Sequence, residues 1–298
     1  MVNEGSETTA SFPPDWWQRL DYYNQRLVDF FTQFLLALRL EVLYQDQRYH
    51  CVFSGFYVEF PGSMAWITAG HVIFNSDKPQ DSILGIKNHP EMRICRARWI
   101  DRSAVYNAEE LPVDLTALQM YTLEDLGIDF GIALITPFYM QALDAGGYAT
   151  RITQQKWHDT PSWLPEGYCI LGYPMERTEK STKAVQDAGY KVRTLLPIPT
   201  CLPVRKLSRD DPRLSGKRID PELFLGEILS FVDAPHAQPR SIVGMSGGPV
   251  FAIARNPDGR TIDYQLAGIQ SGWFEQTRIT TVEPTERIML KIEALQQE

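Results

Sequence analysis

Between His50 and Gly272 the chain breaks into short runs of β-branched and aromatic residues divided by glycine, proline and other turn formers. That texture restricts the fold more than any other feature. "CVFSGFYVEF" (51–60), the bend "PGS" and "MAWITAG" (64–70) read as a β-hairpin. Further strand patterns follow at 93–100, 130–138, 167–174, 191–198, 227–234, 248–254 and 261–272, with no internal repeat. Many short strands at irregular spacing, with helical patterns mainly at the two ends, specify an all-β body built as a sandwich or a barrel.

The ends read differently. Residues 1–13 are small and polar, as a disordered head would be, and Asp15 can cap a helix running to about Tyr44. Trp16, Leu20, Tyr23, Leu27, Phe30, Phe31, Phe34, Leu35, Leu38 and Leu40 recur there at three- and four-residue steps. Such a helix packs on the body or docks a partner, and the pattern leaves both open. "PTERIMLKIEALQQE" (284–298) is a closing helical pattern, 206–221 is a charged, turn-rich segment expected to be an exposed mobile loop, and 139–160 connects two halves.

Net charge bears on partners. Twenty-nine basic against 37 acidic residues give −8, so no phosphate-neutralising surface is expected and nothing points to nucleic acid. Residues 30–43 are the most apolar early segment, but Thr32, Gln33, Arg39 and Glu41 interrupt it and no membrane span is expected. Cys51, Cys95, Cys169 and Cys201 form no C-x-x-C pair. Residues 1–10 lack the basic and apolar regions of a secretory signal. The expectation is a cytoplasmic protein with free, mostly buried thiols.

The densest chemical signal is "VGMSGGPVF" (243–251), where three glycines and a proline surround Ser246 between apolar strand residues. Such a backbone can turn sharply and approach another molecule closely. A serine nucleophile needs a base and a group to orient that base. His71, in "WITAGHVI" (66–73), sits at the mouth of an apolar strand; a lone histidine there also suits a hydrogen-bonded structural role. Asp129, in "GIDFGIALI" (127–135), precedes a buried-looking run and equally suits a strand-start turn. Glu124 and Asp125 read as solvated. Chain order then discriminates. No histidine follows Ser246, so the α/β-hydrolase elbow that "GMSGG" also matches lacks its base. A subtilisin-like order needs Asp before His, and the early aspartates lie in the helical or polar head. The order His71, Asp129, Ser246 survives.

"WITAGHVI", "DFGIALI" and "GMSGGPVF", in that order, resemble the catalytic blocks of the chymotrypsin/trypsin-like serine peptidases over residues 48–298. Of that family, "SGFYVEFPGSMAWITAGHV" is most similar to the cytosolic and bacterial branches, including the HtrA-like proteases. The resemblance implies an all-β, chymotrypsin-like double β-barrel with an N-terminal helix and a C-terminal helix. The chain then divides into a head and helix (1–45), a first barrel (46–150) and a second barrel with the closing helix (151–298). It implies Ser246 as nucleophile, His71 as base and Asp129 as orienting acid, with the N–H groups of Gly244 and Ser246 as the oxyanion hole. One such donor contributes about 3 kcal/mol of transition-state stabilisation. Two departures stand out: Met245 replaces the aspartate that secreted trypsins pair with a newly cut N-terminus, and no cysteine follows "TAGH".

By the same resemblance Ser271, Gly272 and Trp273 line the specificity pocket, and Arg240 falls near its base, where a buried cation would favour acidic side chains. Arg240 equally suits the end of a surface loop. No metal or organic cofactor is implied. The reading is a serine endopeptidase acting on a particular intracellular protein, in a signalling or defence setting. Its rivals are a catalytically silent binding scaffold and a latent protease activated by a protein partner at the N-terminal helix.

Overall fold

The structure, a computed structural model, describes residues 24–60, 63–101, 110–158, 162–177, 179–187, 190–196, 198–231, 238–255 and 262–290. Helix α1 (Asn24–Thr32) leads into strands β1 (Ala37–Tyr44), β2 (Gln47–Phe53), β3 (Phe56–Phe60) and β4 (Ser63–Thr68). Short helices α2 (Gly70–Ile73) and α3 (Ile83–Asn88) follow, then β5 (Arg93–Ile100), β6 (Leu111–Pro112), β7 (Gln119–Thr122) and β8 (Gly131–Ile135). Helices α4 (Pro137–Gly146) and α5 (Gln154–His158) occupy the stretch expected to connect the halves. The second half holds β9 (Gly167–Gly172), β10 (Glu179–Asp187), β11 (Tyr190–Leu196) and β12 (Thr200–Lys206). It ends with β13 (Phe224–Ile228), β14 (Pro249–Arg255), β15 (Ile262–Phe274) and β16 (Ile279–Pro284).

Strands β12-β13-β16-β15-β14-β9 close into a six-stranded barrel, and β10 and β11 pair as a separate ribbon. The first half is two four-stranded sheets, β2-β1-β5-β6 and β3-β4-β8-β7, rather than one closed hydrogen-bonded cylinder. The sheets meet where the Leu36 N–H donates to the Gly55 carbonyl at 3.0 Å, and they share one apolar core that includes Leu38, Tyr57, Trp66 and Trp99. A helix opens at residues 285–290; the rest of the expected closing helix, like the expected head at 1–13, lies outside the described residues.

The long N-terminal helix is corrected. Helix ends at Thr32, residues 15–23 lie outside the described segment, and 37–44 is a strand. Leu36, Leu38, Leu40 and Val42 enter one core while Ala37 between them enters another, a period of two that a three-to-four count absorbs only by including neighbours. Helix α1 packs inward. Phe31 and Phe34 set their rings 5.2 and 5.3 Å from Phe251 of β14, inside a core shared with Phe130, Leu171 and Leu266.

"CVFSGFYVEF" is two strands, not one. It breaks at Ser54–Gly55, where a Cβ on Gly55 would lie 2.4 Å from Trp66 Nε1. The 206–221 segment is charged and largely exposed, yet its own arginines fold it back: Arg209 donates to the Leu223 carbonyl at 2.6 Å and Arg213 pairs with Asp211 at 2.8 Å. All four cysteines are unpaired; Cys169 and Cys201 are buried, Cys51 is half-buried and Cys95 is exposed. No described helix is long and apolar enough to cross a membrane.

Trp66 ties the two sheets together, because its buried indole N–H donates to the Leu36 carbonyl at 2.6 Å. Trp66→Phe leaves that carbonyl without its donor and a small void beside it. The expected loss is about 1–3 kcal/mol of unfolding free energy, read by urea denaturation; an unchanged midpoint would remove this bond from the account.

Candidate active site

Strand β4 ends at Thr68, and the chain turns at once into α2, so His71 stands at a strand-to-helix corner. Gly70 makes the corner possible: a Cβ there would lie 2.8 Å from Glu124 Cγ and 3.2 Å from Asp129 Oδ1. Asp129 is presented by a short turn. Gly127 adopts φ +72°, and the buried side chains of Ile128 and Phe130 anchor the residues on either side. The His71 backbone N–H donates to Asp129 Oδ1 at 3.0 Å, and Nδ1 lies 3.0 and 2.9 Å from the two carboxylate oxygens. The two side chains are 32% and 25% exposed, so the pair forms a wall that solvent or a ligand can reach.

Burial pulls the His71 pKa down, but the hydrogen bond and charge of Asp129, with the charge of Glu124, outweigh it and the net shift is upward. Glu124, read from the sequence as solvated, is instead half-buried against Gly70. Burial, and after it the charge of Asp129, raise its carboxyl above the usual range. Glu283 of β16 was not singled out by the sequence at all; its Oε1 accepts the Asp129 N–H at 3.4 Å.

Ser246 lies on a tight turn before β14. Gly247 adopts φ +87°, and a Cβ on it would lie 2.0 Å from Thr68 Oγ1 and 2.7 Å from the Ala69 nitrogen. Only glycine lets the serine turn close onto the segment that leads into His71. Ser54 completes the seam: its Oγ donates to the Gly244 carbonyl at 2.6 Å and accepts the Tyr173 N–H at 3.0 Å. Among the described residues no hydrogen bond joins Ser246 Oγ to His71; the close approach is of Gly247 to Thr68 and Ala69. Catalytic contacts of this kind often tighten only with substrate in place.

The turn also sets two N–H groups. The Val243 carbonyl accepts the Met175 N–H at 2.8 Å, and the peptide is trans, so the Gly244 N–H points to the opposite side. Gly244 has φ +96°, and a Cβ would lie 2.7 Å from the Tyr173 carbonyl. Among the described residues neither the Gly244 nor the Ser246 N–H finds an acceptor. Met245 between them is fully buried with Ile170, Ile242 and Val250.

Gly247 N–H donates to the Gln270 carbonyl at 2.8 Å and Gln270 N–H to the Gly248 carbonyl at 3.0 Å, which brings β15 alongside the serine turn. Strand β14 leaves β15 at Ile269, whereas β16 stays paired as far as Phe274, so among the described residues one edge of 271–274 is unpaired by strand. The Ser271 hydroxyl bonds that of Thr281 at 3.1 Å, and a Cβ on Gly272 would lie 2.4 Å from Thr281 Oγ1. Trp273 packs its ring against the cluster that holds Met245. Arg240 is exposed, so the buried cation that an acidic preference requires is not present at that position.

No protein-family model matches the sequence, and no curated protein matches it. Similar solved structures include the active form of the Rv3671c protease of M. tuberculosis, at TM-score 0.45 and 13% identity, covering 98% of this chain and 93% of that one. The thermostable serine protease AL20 from an extremophilic microorganism has the same score and identity over 88% of this chain and 95% of its own. The protease Anisep of Arthrobacter nicotinovorans scores 0.39 at 13% identity over 85% and 90%. Likenesses this remote carry nothing over to this chain, whose case rests on its own side chains.

Electrostatics at His71 can be read without any activity. Its imidazole is expected to titrate above the ordinary 6.5 of free histidine. In Asp129→Asn the burial effect is no longer outweighed and the midpoint falls below that of the wild type. NMR titration of the ring protons decides this; coincident curves would mean that Asp129 does not govern the ring.

Proposed function

We propose that the protein is a serine endopeptidase of the chymotrypsin/trypsin-like type, with Ser246, His71 and Asp129 as its triad. The observation that carries this reading is the His71 imidazole held at 3.0 and 2.9 Å by the Asp129 carboxylate, on the segment against which the serine turn packs. With Nδ1–H donated to Asp129, Nε2 is left as the acceptor for the serine proton. Ser246 Oγ attacks the scissile carbonyl carbon as its proton passes to Nε2. The Gly244 and Ser246 N–H groups receive the charge that develops on the carbonyl oxygen. Collapse of the tetrahedral adduct breaks the C–N bond, the imidazolium gives its proton to the amine, and water releases the acyl group by the same steps in reverse.

The unpaired edge of Ser271–Phe274 suits an extended peptide laid on as an added strand, which favours a polypeptide substrate. Exposed Met175 and Val243, 67% and 57% accessible, give the rim beside the oxyanion turn an apolar character. Action on one intracellular protein, in signalling or defence, belongs to this proposal; limited cleavage rather than degradation of casein is its expected mark. Helix α1 has a structural role here, since its aromatic face lies in the core.

Fluorophosphonate labelling tests the triad. The wild type is expected to form an adduct at Ser246 and Ser246→Ala none, while Asp129→Asn labels about a thousandfold more slowly or worse. Absence of wild-type labelling would leave the two rivals, a silent scaffold and a protease that awaits its partner, and labelling would be repeated with a partner present. Because only neutral His71 accepts a proton, and its pKa is raised, kcat/KM on a cleaved peptide should rise with pH along a limb centred above 6.5. A limb below that value would contradict the assigned base.

A further inference from the structure

Glu283 is a carboxylate in a β-strand with 3% exposure, a placement that a barrel wall has no need of. It sits opposite Ile269, where a Cβ on Gly268 would lie 2.2 Å from the Glu283 carbonyl, so the glycine lets the two strands approach. Its Oε1 accepts the backbone N–H of Asp129, 154 residues away, at 3.4 Å. One helical turn later Arg287 reaches back to both Glu283 oxygens at 3.5 and 3.3 Å and donates to the Gly127 carbonyl at 3.2 Å. The same guanidinium pairs with Asp220 at 2.8 Å and Glu222 at 2.9 Å, yet is only 15% exposed. The short turn that carries Asp129 is therefore gripped at both ends, at the Gly127 carbonyl by Arg287 and at the Asp129 N–H by Glu283.

We propose that Glu283, anchored by Arg287, is a positioning residue that clamps the Asp129 turn and thereby sets the His71–Asp129 hydrogen bond. Its consequence for rate rests on the protease reading, but its effect on the histidine does not. The groups facing the pair are Glu124 on the His71 side and Glu283, Arg287 and Asp220 on the Asp129 side. Burial pushes the Glu283 carboxyl up, and the charges of Asp129 and Asp220 add to that; Arg287 and the Asp129 N–H oppose it. Loosening the clamp weakens the Asp129 contact that offsets burial at His71, so the imidazole midpoint moves down.

Full-length Glu283→Ala, Glu283→Gln and wild type are compared by NMR titration of His71 and by the rate of fluorophosphonate labelling, with circular dichroism as the check of fold. Glu283→Ala is expected to lower the His71 midpoint and slow labelling about tenfold to a hundredfold, the usual effect of a misplacement near 1 Å. Glu283→Gln keeps an acceptor for the Asp129 N–H and retains most of both properties. A folded Glu283→Ala with the wild-type midpoint and rate overturns the proposal, as does a Glu283→Gln impaired as badly as the alanine. Should Glu283→Ala not fold, Arg287→Gln, which releases the Gly127 carbonyl, carries the test: a lowered midpoint supports the clamp and an unchanged one refutes it. A wild type that never labels, with a midpoint that still drops in Glu283→Ala, sinks the protease reading and leaves the clamp standing.

Discussion

Everything at the site depends on how closely the serine turn can lie against the strand that leads to His71. Gly247 is the point of contact, with a missing side chain whose Cβ would sit 2.0 Å from Thr68 Oγ1 and 2.8 Å from the Ser54 carbonyl. Around it the Ser54 hydroxyl links the Gly244 carbonyl and the Tyr173 N–H, and the Thr68 hydroxyl donates back to the Ser54 carbonyl at 2.8 Å. The two bonds of the Ser54 hydroxyl join segments more than a hundred residues apart in sequence. A buried polar group costs free energy when unpaired and little when satisfied, so the seam is specific in a way that apolar packing alone is not. Displacement of either half would orphan several polar groups at once.

The same seam explains why Met245 can occupy the position before Ser246. The turn needs something to hold it from behind, and burial of one methionine contributes about 1.5–3 kcal/mol. Met245 supplies that from within the barrel, among Ile170, Leu202, Ile242 and Val250. Gly172 accommodates it, since a Cβ there would lie 2.9 Å from the Met245 Cα. An apolar anchor needs no partner charge delivered from elsewhere, so a turn held this way keeps its Gly244 peptide orientation as soon as the barrel forms.

Legibility in the sequence followed the range of the interaction. The strand texture, the β3–β4 hairpin and the strand at 93–100 could be read because alternation and turn residues are local signals. His71 and Asp129, which the fold brings into contact, and the Ser246 turn each carry glycines and apolar anchors within a few positions, and those are local signals too. The switch from helix to strand after Thr32 was hidden, since Phe34, Leu35, Leu36, Leu38 and Leu40 satisfy both periods for a turn and a half. Glu124 looked solvated in "TLEDLG"; only the αL residue Gly127 folds that segment back on Gly70. Glu283 had no local signal of any kind, because its partner Asp129 is supplied by the other half of the fold.

The carboxylates around His71 bear on whether this site is a relic or a working one. Burial raises the carboxyls of both Glu124 and Glu283 above their usual range. Replacing such groups with apolar side chains of similar size is often neutral or stabilising, so the fold gains no stability from them. What the arrangement does supply is the Asp129 carboxylate in contact with the His71 imidazole, with Glu124 behind Gly70. That contact favours the imidazolium form of His71. A structural histidine needs one hydrogen bond to satisfy it, whereas the Asp129 carboxylate here engages both the His71 ring and its backbone N–H. The excess over structural need is in electrostatics and orientation: one carboxylate fixes both the charge beside the ring and the direction in which the ring points.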